Sequence, residues 1–172
     1  MTDKPKAGQP LPEISLPTVG GGTASLGAAT GGWRAILVYR GKHCPLCKRY
    51  LGGLQDLARD YAEAEIELLL VSADPKEKAE TVKEDWGLAQ SVAYDLKPEQ
   101  MRELGLYISE PRSEQETDRP FAEPGLFVVN PQGKLQIVDI SNAPFARPDL
   151  TSLLNGIKFV QDKDYPVRGT AA

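Results

Sequence analysis

Apolar residues occur in two patterns along this chain: short continuous runs, and longer stretches in which they recur at helical spacing. The runs are rich in Ile, Leu and Val and predict strands covered on both faces, whereas the longer stretches predict amphipathic helices. In order, the central part of the chain predicts strands at 33–39, 66–73 and 91–94, each followed by a helix, at 45–62, 75–86 and 98–104. Strands that alternate with helices indicate an α/β domain with a parallel sheet at its centre.

Shorter elements flank this central part. Extended segments at 14–16 and 23–26, joined by three glycines, predict an N-terminal hairpin. Near the other end, apolar segments at 125–129 and 134–140 flank an Asn-Pro-Gln-Gly turn and predict an antiparallel hairpin. The last helix is expected to open at Pro148, because proline is well tolerated at the first helical position.

The domain organisation follows from the chain length. At 172 residues the chain is long enough for one full core, whereas two domains would both be small. We therefore expect a single domain over residues 1–172, with its core at about 7–160 and an unanchored tail at about 163–172. The polar segment 107–124, which contains three prolines, is long for a connection and predicts a lid or a disordered loop.

Two local signals concern the helices. Asp74 follows a buried strand and precedes Pro75, so it predicts the N-cap of the second helix. Gly52 and Gly53 lie inside the first helix, where each costs about 1 kcal/mol relative to alanine. The glycine pair therefore predicts a kink or a close approach of another backbone, and a kink there would give the first helical turn a hinge.

The only two cysteines, Cys44 and Cys47, form a C-x-x-C motif where the strand at 33–39 meets the first helix. In the first turn of a helix the backbone N–H groups lack partners and the dipole is positive, and both features favour a thiolate. Four cations surround the motif: Arg40, Lys42, Lys48 and Arg49. Two of them stand where cations oppose the helix dipole, which indicates that an anion is to be stabilised there.

His43, the only histidine, directly precedes Cys44. When protonated it would lower the pKa of the Cys44 thiol, and when neutral it could carry the proton of that thiol. The alternative is a turn histidine whose ring lies in water. His43 is therefore a candidate site residue.

Two cysteines at this spacing can close a disulfide across one helical turn, which is a strained and reducible ring. Cycling between dithiol and disulfide is the expected behaviour. A zinc site takes four ligands, usually in two separated pairs, and this chain has one cysteine pair and one histidine. Two inert buried thiols are the other alternative. We expect thiol chemistry that uses no cofactor and no metal.

The distribution of charge limits the kinds of partner that we expect. The net charge is −4 and the cations are dispersed apart from the cluster at the cysteines, so neither nucleic acid nor an anionic membrane is expected as a partner. No apolar run approaches the length of about 18 residues that a membrane span needs, and the N-terminus has no apolar signal core. A cytoplasmic location is the resulting expectation, and there a C-x-x-C motif is more often catalytic than structural.

Two stretches outside the motif resemble the peroxiredoxins of the AhpC/TSA (redoxin) type, a branch of the thioredoxin superfamily. Residues 8–17 resemble the N-terminal pattern of that branch, and residues 127–134 its late hairpin. The resemblance covers about residues 7–160. It implies a thioredoxin-like α/β fold, in which helices flank a central mixed β-sheet, with an N-terminal hairpin extension. It also implies a peroxide or disulfide substrate, an antioxidant role, a thiol reductant such as thioredoxin, glutaredoxin or glutathione, and a tendency to form homodimers.

The cysteine region departs from the peroxiredoxin pattern P-x-x-x-T-x-x-C. In that register Arg40 replaces the proline, Cys44 replaces the threonine that hydrogen-bonds the peroxide, and Cys47 is the peroxidatic cysteine. A thiol is a poor substitute for the threonine hydroxyl, because it is a weak hydrogen-bond donor. The resemblance therefore favours C-x-x-C chemistry over efficient peroxide reduction.

Pro124 marks a second departure. It stands three residues before Phe127, where peroxiredoxins carry an arginine. Thioredoxins place a cis-proline beside their dithiol at this point, so the resemblance implies a cis bond between Glu123 and Pro124. A trans proline at the entry of a strand is the alternative.

Both departures favour a dithiol oxidoreductase on a peroxiredoxin-like frame. In the thioredoxin manner Cys44, expected to be the more exposed sulfur, attacks a substrate disulfide, and Cys47 resolves the mixed disulfide. With a peroxide substrate, the family register reverses these roles. One alternative is a true peroxidase in which Arg40 or Arg147 replaces the missing arginine. Another is a non-catalytic binding module that holds a partner with the segment 107–124.

Overall fold

The computed structural model describes residues 4–171. Within this range there are nine strands and four helices. In chain order they are β1 (Ser15–Pro17), β2 (Thr23–Ser25), β3 (Trp33–Val38), α1 (Pro45–Glu63), β4 (Ile66–Val71), α2 (Lys76–Asp85), β5 (Ser91–Ala93), α3 (Pro98–Glu103), β6 (Ile108–Ser109), β7 (Phe121–Ala122), β8 (Gly125–Val129), β9 (Leu135–Ile140) and α4 (Leu150–Lys163). The predicted strands and helices are all present close to their predicted bounds, and β6 and β7 are additional.

Five strands form the main sheet in the spatial order β5-β4-β3-β8-β9. Strands β3, β4 and β5 are parallel, whereas β8 is antiparallel to β3 and β9 is antiparallel to β8. The sheet is therefore mixed, as the family resemblance implies, and its parallel part is the predicted strand–helix–strand half. The N-terminal hairpin of β1 and β2 is joined to edge strand β5, where the Tyr94 N–H donates to the Pro17 carbonyl (3.1 Å).

Alternate side chains of the central strands enter two cores, one on each face of the sheet. On one face, residues such as Leu37 and Leu70 belong to a core that includes side chains of α1, α2 and α4. On the other face, residues such as Ile36 and Phe127 belong to a core with α3 and the N-terminal hairpin. Because both faces are covered, these strands appear in the sequence as continuous apolar runs.

The pairing register brings three chain segments to one edge of the sheet. Val38, the last residue of β3, lies opposite Val71 at the end of β4 and opposite Gly125 at the start of β8. The residues that follow β3 and β4 and those that precede β8 therefore converge. These segments are 39–44, 72–74 and 123–124. The C-x-x-C motif lies at this edge, where the first segment enters α1.

Two local predictions are wrong. Asp74 does not cap α2, because the cap position is taken by Pro75, and the Asp74 carboxylate accepts the Lys42 N–H (2.8 Å) instead. No backbone approaches Gly52 or Gly53, since a Cβ atom added at either would have no neighbouring atom within 4 Å. Helix α1 runs through both glycines without a break, so the predicted close approach is wrong and the kink stays a prediction.

The segment 107–124 is held in place by specific contacts. Its ends pair as the antiparallel strands β6 and β7, with Ile108 opposite Ala122. Between them, Arg119 Nη1 lies 3.4 Å from a carboxylate oxygen of Asp95. The prediction of a disordered loop is therefore wrong, and the lid function stays a prediction.

The peptide bond between Glu123 and Pro124 is trans, so the predicted cis bond is wrong. The Glu123 N–H donates to the Tyr107 carbonyl (2.8 Å), and the Pro124 carbonyl accepts the Ser141 N–H (3.0 Å). Because residues on both sides of this bond are tied to neighbouring segments, the chain passes extended from β7 into β8. A cis proline is typical of a tight turn, and no turn occurs here.

The residues after α4 lie against the body of the domain. The Gln136 side-chain amide donates to the Tyr165 carbonyl (3.4 Å). A Cβ atom added at Gly8 would lie 3.3 Å from Cγ2 of Thr170. The expected unanchored tail is therefore wrong for residues 165–170, which contact both β9 and the N-terminal segment.

The open space around Gly52 leads to a test of α1. We expect Gly52→Ala to raise the free energy of unfolding by about 1 kcal/mol, because alanine has less backbone freedom to lose in a helix. Gly27→Ala is the contrasting variant, since its Cβ atom would lie 2.7 Å from the Leu11 carbonyl oxygen and should destabilise the fold. Denaturant titration measures both changes. A loss of stability in Gly52→Ala would contradict a continuous helix with open space at Gly52.

Candidate dithiol site

The start of α1 is built around Cys44, which is the N-cap residue of the helix. Its backbone is extended (φ −107°, ψ 102°), and its N–H donates to the Gly41 carbonyl (3.2 Å). Pro45 occupies the first helical position, where its missing N–H leaves no donor unpaired. The Cys47 N–H donates to the Cys44 Sγ atom (3.2 Å). A sulfur thus takes the place of the usual capping oxygen, at the positive end of the helix dipole.

The turn before Cys44 is held by Asp74, which is only 3 % exposed. One carboxylate oxygen accepts the Lys42 N–H (2.8 Å). The other oxygen would lie 2.7 Å from a Cβ atom at Gly41, a residue whose φ is +141°. Only glycine tolerates this approach together with this backbone conformation. Burial raises the pKa of Asp74, and the hydrogen bond from Lys42 opposes that rise. Asp74 therefore fixes the backbone that presents Cys44.

Arg147, from the segment that leads into α4, places a cation in direct contact with the motif. Its Nη2–H donates to the Cys47 Sγ atom (2.9 Å), and its Nε–H donates to the Pro144 carbonyl (2.7 Å). The guanidinium lies 4.8 Å from the centre of the Tyr50 ring. The Tyr50 hydroxyl donates to the Pro148 carbonyl (2.5 Å). Helix α1 thus holds the arginine through Tyr50, by stacking and by anchoring the adjacent backbone.

Arg40, which follows β3, is engaged by a buried carboxylate. Its Nε–H donates to Glu123 Oε1 (2.9 Å), and the Ser109 hydroxyl donates to the same oxygen (3.1 Å). The guanidinium also lies 4.8 Å from the centre of the Phe121 ring. Because the Glu123 side chain is only 3 % exposed, this ion pair is weakly screened and much of the charge of Arg40 is compensated.

The other three cations of the predicted cluster, Lys42, Lys48 and Arg49, are exposed. Among the described residues none of their side chains donates a hydrogen bond to a cysteine sulfur. The hydrogen bond to a cysteine sulfur is instead donated by Arg147, which lies 100 residues after Cys47 in the chain.

His43 is half-buried, with its ring edge-on to Phe121 and 4.6 Å between the ring centres. Burial and the nearby Arg40 lower the pKa of His43, so the ring is neutral at pH 7. Neither ring nitrogen has a hydrogen-bond partner among residues 4–171. His43 is therefore not the cation expected beside Cys44, and its role as a neutral proton carrier stays a prediction.

The two thiols differ strongly in acidity. The hydrogen bond from the Cys47 thiol is the main influence that lowers the pKa of Cys44, to about 6, against the opposing effect of burial. The Cys47 N–H, Arg147 and Arg40 also lower it. Burial, followed by the same thiol hydrogen bond, raises the pKa of Cys47. Arg147 favours a thiolate at Cys47, but a second negative charge in a buried site beside the first costs more. At neutral pH the pair carries one negative charge, centred on Cys44.

Both sulfur-bearing residues are covered. Cys44 is 2 % exposed and Cys47 is 0 % exposed, so the expected greater exposure of Cys44 amounts to very little. Pro124 lines a cavity of about 20 Å³ together with Tyr50 and Arg147. That volume holds about one water-sized molecule. A bulky disulfide therefore reaches a sulfur only after the residues around the first turn of α1 move.

The sequence pattern does not identify Asp74 and Tyr50 as parts of the site. For Asp74 a signal exists, because polar residues directly after neighbouring parallel strands meet at the same edge of the sheet. For Tyr50 there is no such signal, since it shares a face of α1 with apolar residues and is expected in the core.

Cys44 and Cys47 are both free thiols. Over residues 4–171, no three His, Cys, Asp or Glu side chains are grouped so that they would hold a metal ion. In the same range no helix combines the length and the apolar content needed to cross a membrane. The reactive groups at this edge of the sheet are the two thiols and their polar neighbours.

Known proteins share both the sequence pattern and the fold. The AhpC/TSA family model matches residues 7–138. No curated protein matches the chain. Similar solved structures include a peroxiredoxin-like protein from Aquifex aeolicus, with 18 % identity and a TM-score of 0.77 over 92 % of this chain and 89 % of that chain. AhpC from Enterococcus faecalis has 19 % identity and a TM-score of 0.74, over 95 % and 98 % of the two chains. The reduced 2-Cys peroxiredoxin of Plasmodium vivax has 15 % identity and a TM-score of 0.76, over 92 % and 83 %.

At these identities the solved structures establish the fold, which is thioredoxin-like with helices around a mixed sheet. The family model covers most of the chain and includes the C-x-x-C motif. The chain therefore belongs to the AhpC/TSA family of peroxiredoxin-like, thioredoxin-fold proteins.

Proposed function

We propose that this protein is a thiol-disulfide oxidoreductase in which Cys44 is the attacking nucleophile and Cys47 the resolving thiol. The observation that carries the proposal is the position of the two sulfurs: Cys44 Sγ caps α1 and accepts the Cys47 N–H (3.2 Å), whereas Cys47 is fully buried. The pKa of Cys44 is lowered to about 6, whereas that of Cys47 is raised. A thiol whose pKa lies near ambient pH is the most effective attacking group in disulfide exchange. Membership of the AhpC/TSA family supports redox chemistry in general.

In the first step the Cys44 thiolate attacks one sulfur of a substrate disulfide. The S–S bond breaks, a mixed disulfide forms at Cys44, and the second substrate sulfur leaves as a thiolate that takes up a proton. Cys47 then loses its proton and attacks the Cys44 sulfur, which releases the first substrate sulfur as a thiol. The substrate disulfide gains two electrons and two protons, and the protein dithiol becomes a Cys44–Cys47 disulfide.

The change of roles between the cysteines follows from the charges. Burial is the main cause of the raised pKa of Cys47 and persists, but once Cys44 is bonded to substrate the additional effect of its negative charge is gone. Arg147 stays in contact with the Cys47 sulfur and stabilises the thiolate that forms there. The same geometry therefore keeps Cys47 protonated before the first exchange and favours its ionisation afterwards.

An external thiol must return the disulfide to the dithiol. A dithiol protein such as thioredoxin or glutaredoxin, or two molecules of glutathione, supplies two electrons and two protons by the same exchange. Such reductants keep thiols reduced in the cytoplasm, which is where we place the cycle.

Peroxide reduction is the second candidate, because the arginine contact falls on the peroxidatic position of the family, Cys47. The Cys47 thiolate would attack the terminal oxygen of a hydroperoxide. The O–O bond breaks, the leaving oxygen takes a proton, and Cys47 becomes a sulfenic acid. Cys44 then attacks that sulfur, water leaves, and the same disulfide forms. The raised pKa of Cys47 opposes this route, as does a thiol in place of the family hydroxyl.

A non-catalytic binding module is the remaining alternative. It has no need for an acidic thiol, so Cys44 would titrate near the ordinary value of about 8.5. The lowered pKa of Cys44 supports the redox proposal over this alternative.

The order of the two cysteines can be tested by trapping. We expect Cys47→Ser to accumulate a mixed disulfide with 2-hydroxyethyl disulfide, because Cys44 can still attack and no thiol resolves the product. Cys44→Ser should trap about tenfold less, since the remaining thiol is fully buried and burial, the main cause of its raised pKa, is unchanged by the substitution. Mass spectrometry without reductant measures both. Equal trapping by Cys44→Ser would assign the attack to Cys47, and no trapping by either variant would refute disulfide exchange.

The influence of Arg147 on the dithiol can be measured by alkylation. We expect Arg147→Gln to slow the reaction of Cys44 with iodoacetamide at pH 6 on the order of fivefold, because removing the charge raises the pKa of Cys44 and lowers its thiolate fraction at that pH. Arg59→Gln is the matched control, since Arg59 is 89 % exposed and pairs with Glu63 on the surface of α1. Equal rates in wild type and Arg147→Gln would remove Arg147 from the site.

The rate with peroxide separates the two redox candidates. We expect wild-type protein to react with hydrogen peroxide at a second-order rate within about tenfold of a small thiol of the same pKa, because no family hydroxyl activates the peroxide. Stopped-flow fluorescence or the loss of titratable thiols measures this rate. A rate several orders of magnitude higher would make peroxide reduction the principal activity.

A further inference from the structure

A groove begins at the C-x-x-C motif and shares Arg147 with the dithiol site. It has a volume of about 570 Å³ and lies between α1 and the segment that leads into α4. Its apolar lining includes Leu46, Tyr50, Leu57, Phe145 and Leu150. Because Leu46 is one of the two residues between the cysteines, the groove starts on the motif itself. We call it the Leu46 groove.

Two of its apolar side chains are open to solvent. Phe145 is 80 % exposed and Leu46 is 37 % exposed. Neighbouring large apolar side chains on a surface mark sites of interaction, since covering them is favourable. In the isolated chain most of the Phe145 side chain is therefore in contact with solvent.

The charged residues of the groove are mostly positive. Arg49 and Arg147 line it, and within residues 4–171 neither forms an ion pair with a carboxylate. Asp149 is the one acidic residue of the lining, and its carboxylate already accepts the Ser152 N–H (2.8 Å) at the start of α4. Because Arg147 offsets the charge of the cysteine pair and the Asp149 carboxylate caps α4, Arg49 is the cation of the groove that is left to pair with a carboxylate of an acidic ligand.

We propose that the Leu46 groove binds the disulfide-bearing segment of a protein substrate in which a large apolar side chain lies next to an acidic one. The apolar side chain packs against Leu46 and Phe145, and the carboxylate pairs with Arg49. This inference rests on the proposed function, because the groove delivers the substrate disulfide to Cys44.

The burial of the sulfurs links binding in the groove to the access of a substrate disulfide to Cys44. Cys44 is 2 % exposed, so the first turn of α1 must move before a disulfide reaches it. A segment bound to Leu46 contacts the first turn of α1 directly and is therefore placed to shift it. Substrate binding and access to Cys44 are therefore coupled at one residue.

Other occupants fit the groove less well. A hydroperoxide or a simple thiol needs far less than 570 Å³ and would leave Phe145 uncovered. A second copy of this chain, in a two-fold symmetric contact, would bring two cationic grooves together. Like charges facing each other oppose such a contact.

The test compares two synthetic peptides. Each carries one cysteine in a mixed disulfide with 2-thiopyridine, placed beside a phenylalanine, and is flanked either by two glutamates or by two lysines. The absorbance of released 2-thiopyridone gives the rate. We expect the glutamate peptide to react about tenfold faster than the lysine peptide at low salt, and the ratio to fall as salt is added.

Three variants locate the preference. Arg49→Glu should bring the ratio to about one or below, because it reverses the charge of the groove. Phe145→Ser should slow the glutamate peptide about fivefold, because the apolar contact is lost. Lys158→Glu makes the same charge change at an exposed position of α4 outside the groove, and it should keep the wild-type ratio.

Several outcomes would overturn the inference. One such outcome is a ratio near one between the rates of the glutamate and lysine peptides with wild-type protein. Another is an equal effect of Lys158→Glu and Arg49→Glu on that ratio. A concentration-dependent dimer in sedimentation that Phe145→Ser dissolves would assign the groove to a second copy. The neutral 2-hydroxyethyl disulfide separates these results from failure of the proposed function. If wild-type protein does not reduce it, the dithiol cycle itself fails, and if it does, only the groove assignment is at stake.

Discussion

A negative charge held on the sulfur that caps α1 is the feature that organises this site. The Cys47 N–H donates to the Cys44 sulfur, and the neighbouring Cys47 thiol lowers the pKa of Cys44, so the charge of the pair is held at the cap of α1. The surrounding residues support this arrangement: Asp74 fixes the turn before Cys44, and Arg147, from the segment before α4, offsets the charge. Away from a helix start, two thiols buried in a core would both be less acidic than ordinary thiols.

Most of the fold can be predicted from the sequence because its elements have strong periodic patterns. The runs at 33–39 and 66–73 become the central strands β3 and β4, and the turn after Val129 closes the expected hairpin. The errors occur where a local signal competes with a distant partner. Asp74 has the sequence of a helix cap, but its carboxylate is taken by Lys42, 32 residues earlier. Strands β6 and β7 are two residues each, too short to carry a period.

The part of the site that depends on neighbouring residues could be predicted from the sequence, and the part that depends on distant contacts could not. The C-x-x-C motif and its position at a helix start follow from neighbouring residues. The role of Arg147 does not, because it depends on where α4 packs, and the sequence offers Arg147 only as a substitute for a missing family residue. At Pro124 the thioredoxin pattern suggests a cis bond, but the hydrogen bonds that tie Glu123 and Pro124 to Tyr107 and Ser141 keep the chain extended.

The pH dependence of the ultraviolet thiolate absorbance of the reduced protein reports directly on the charge held at the cap of α1. We expect a transition near pH 6 that corresponds to one thiol per chain and disappears in Cys44→Ser. The second thiol should remain protonated well above the ordinary thiol pKa of about 8.5, because it is buried beside a thiolate. Two thiols that titrate together near that ordinary value would refute a thiolate held at Cys44.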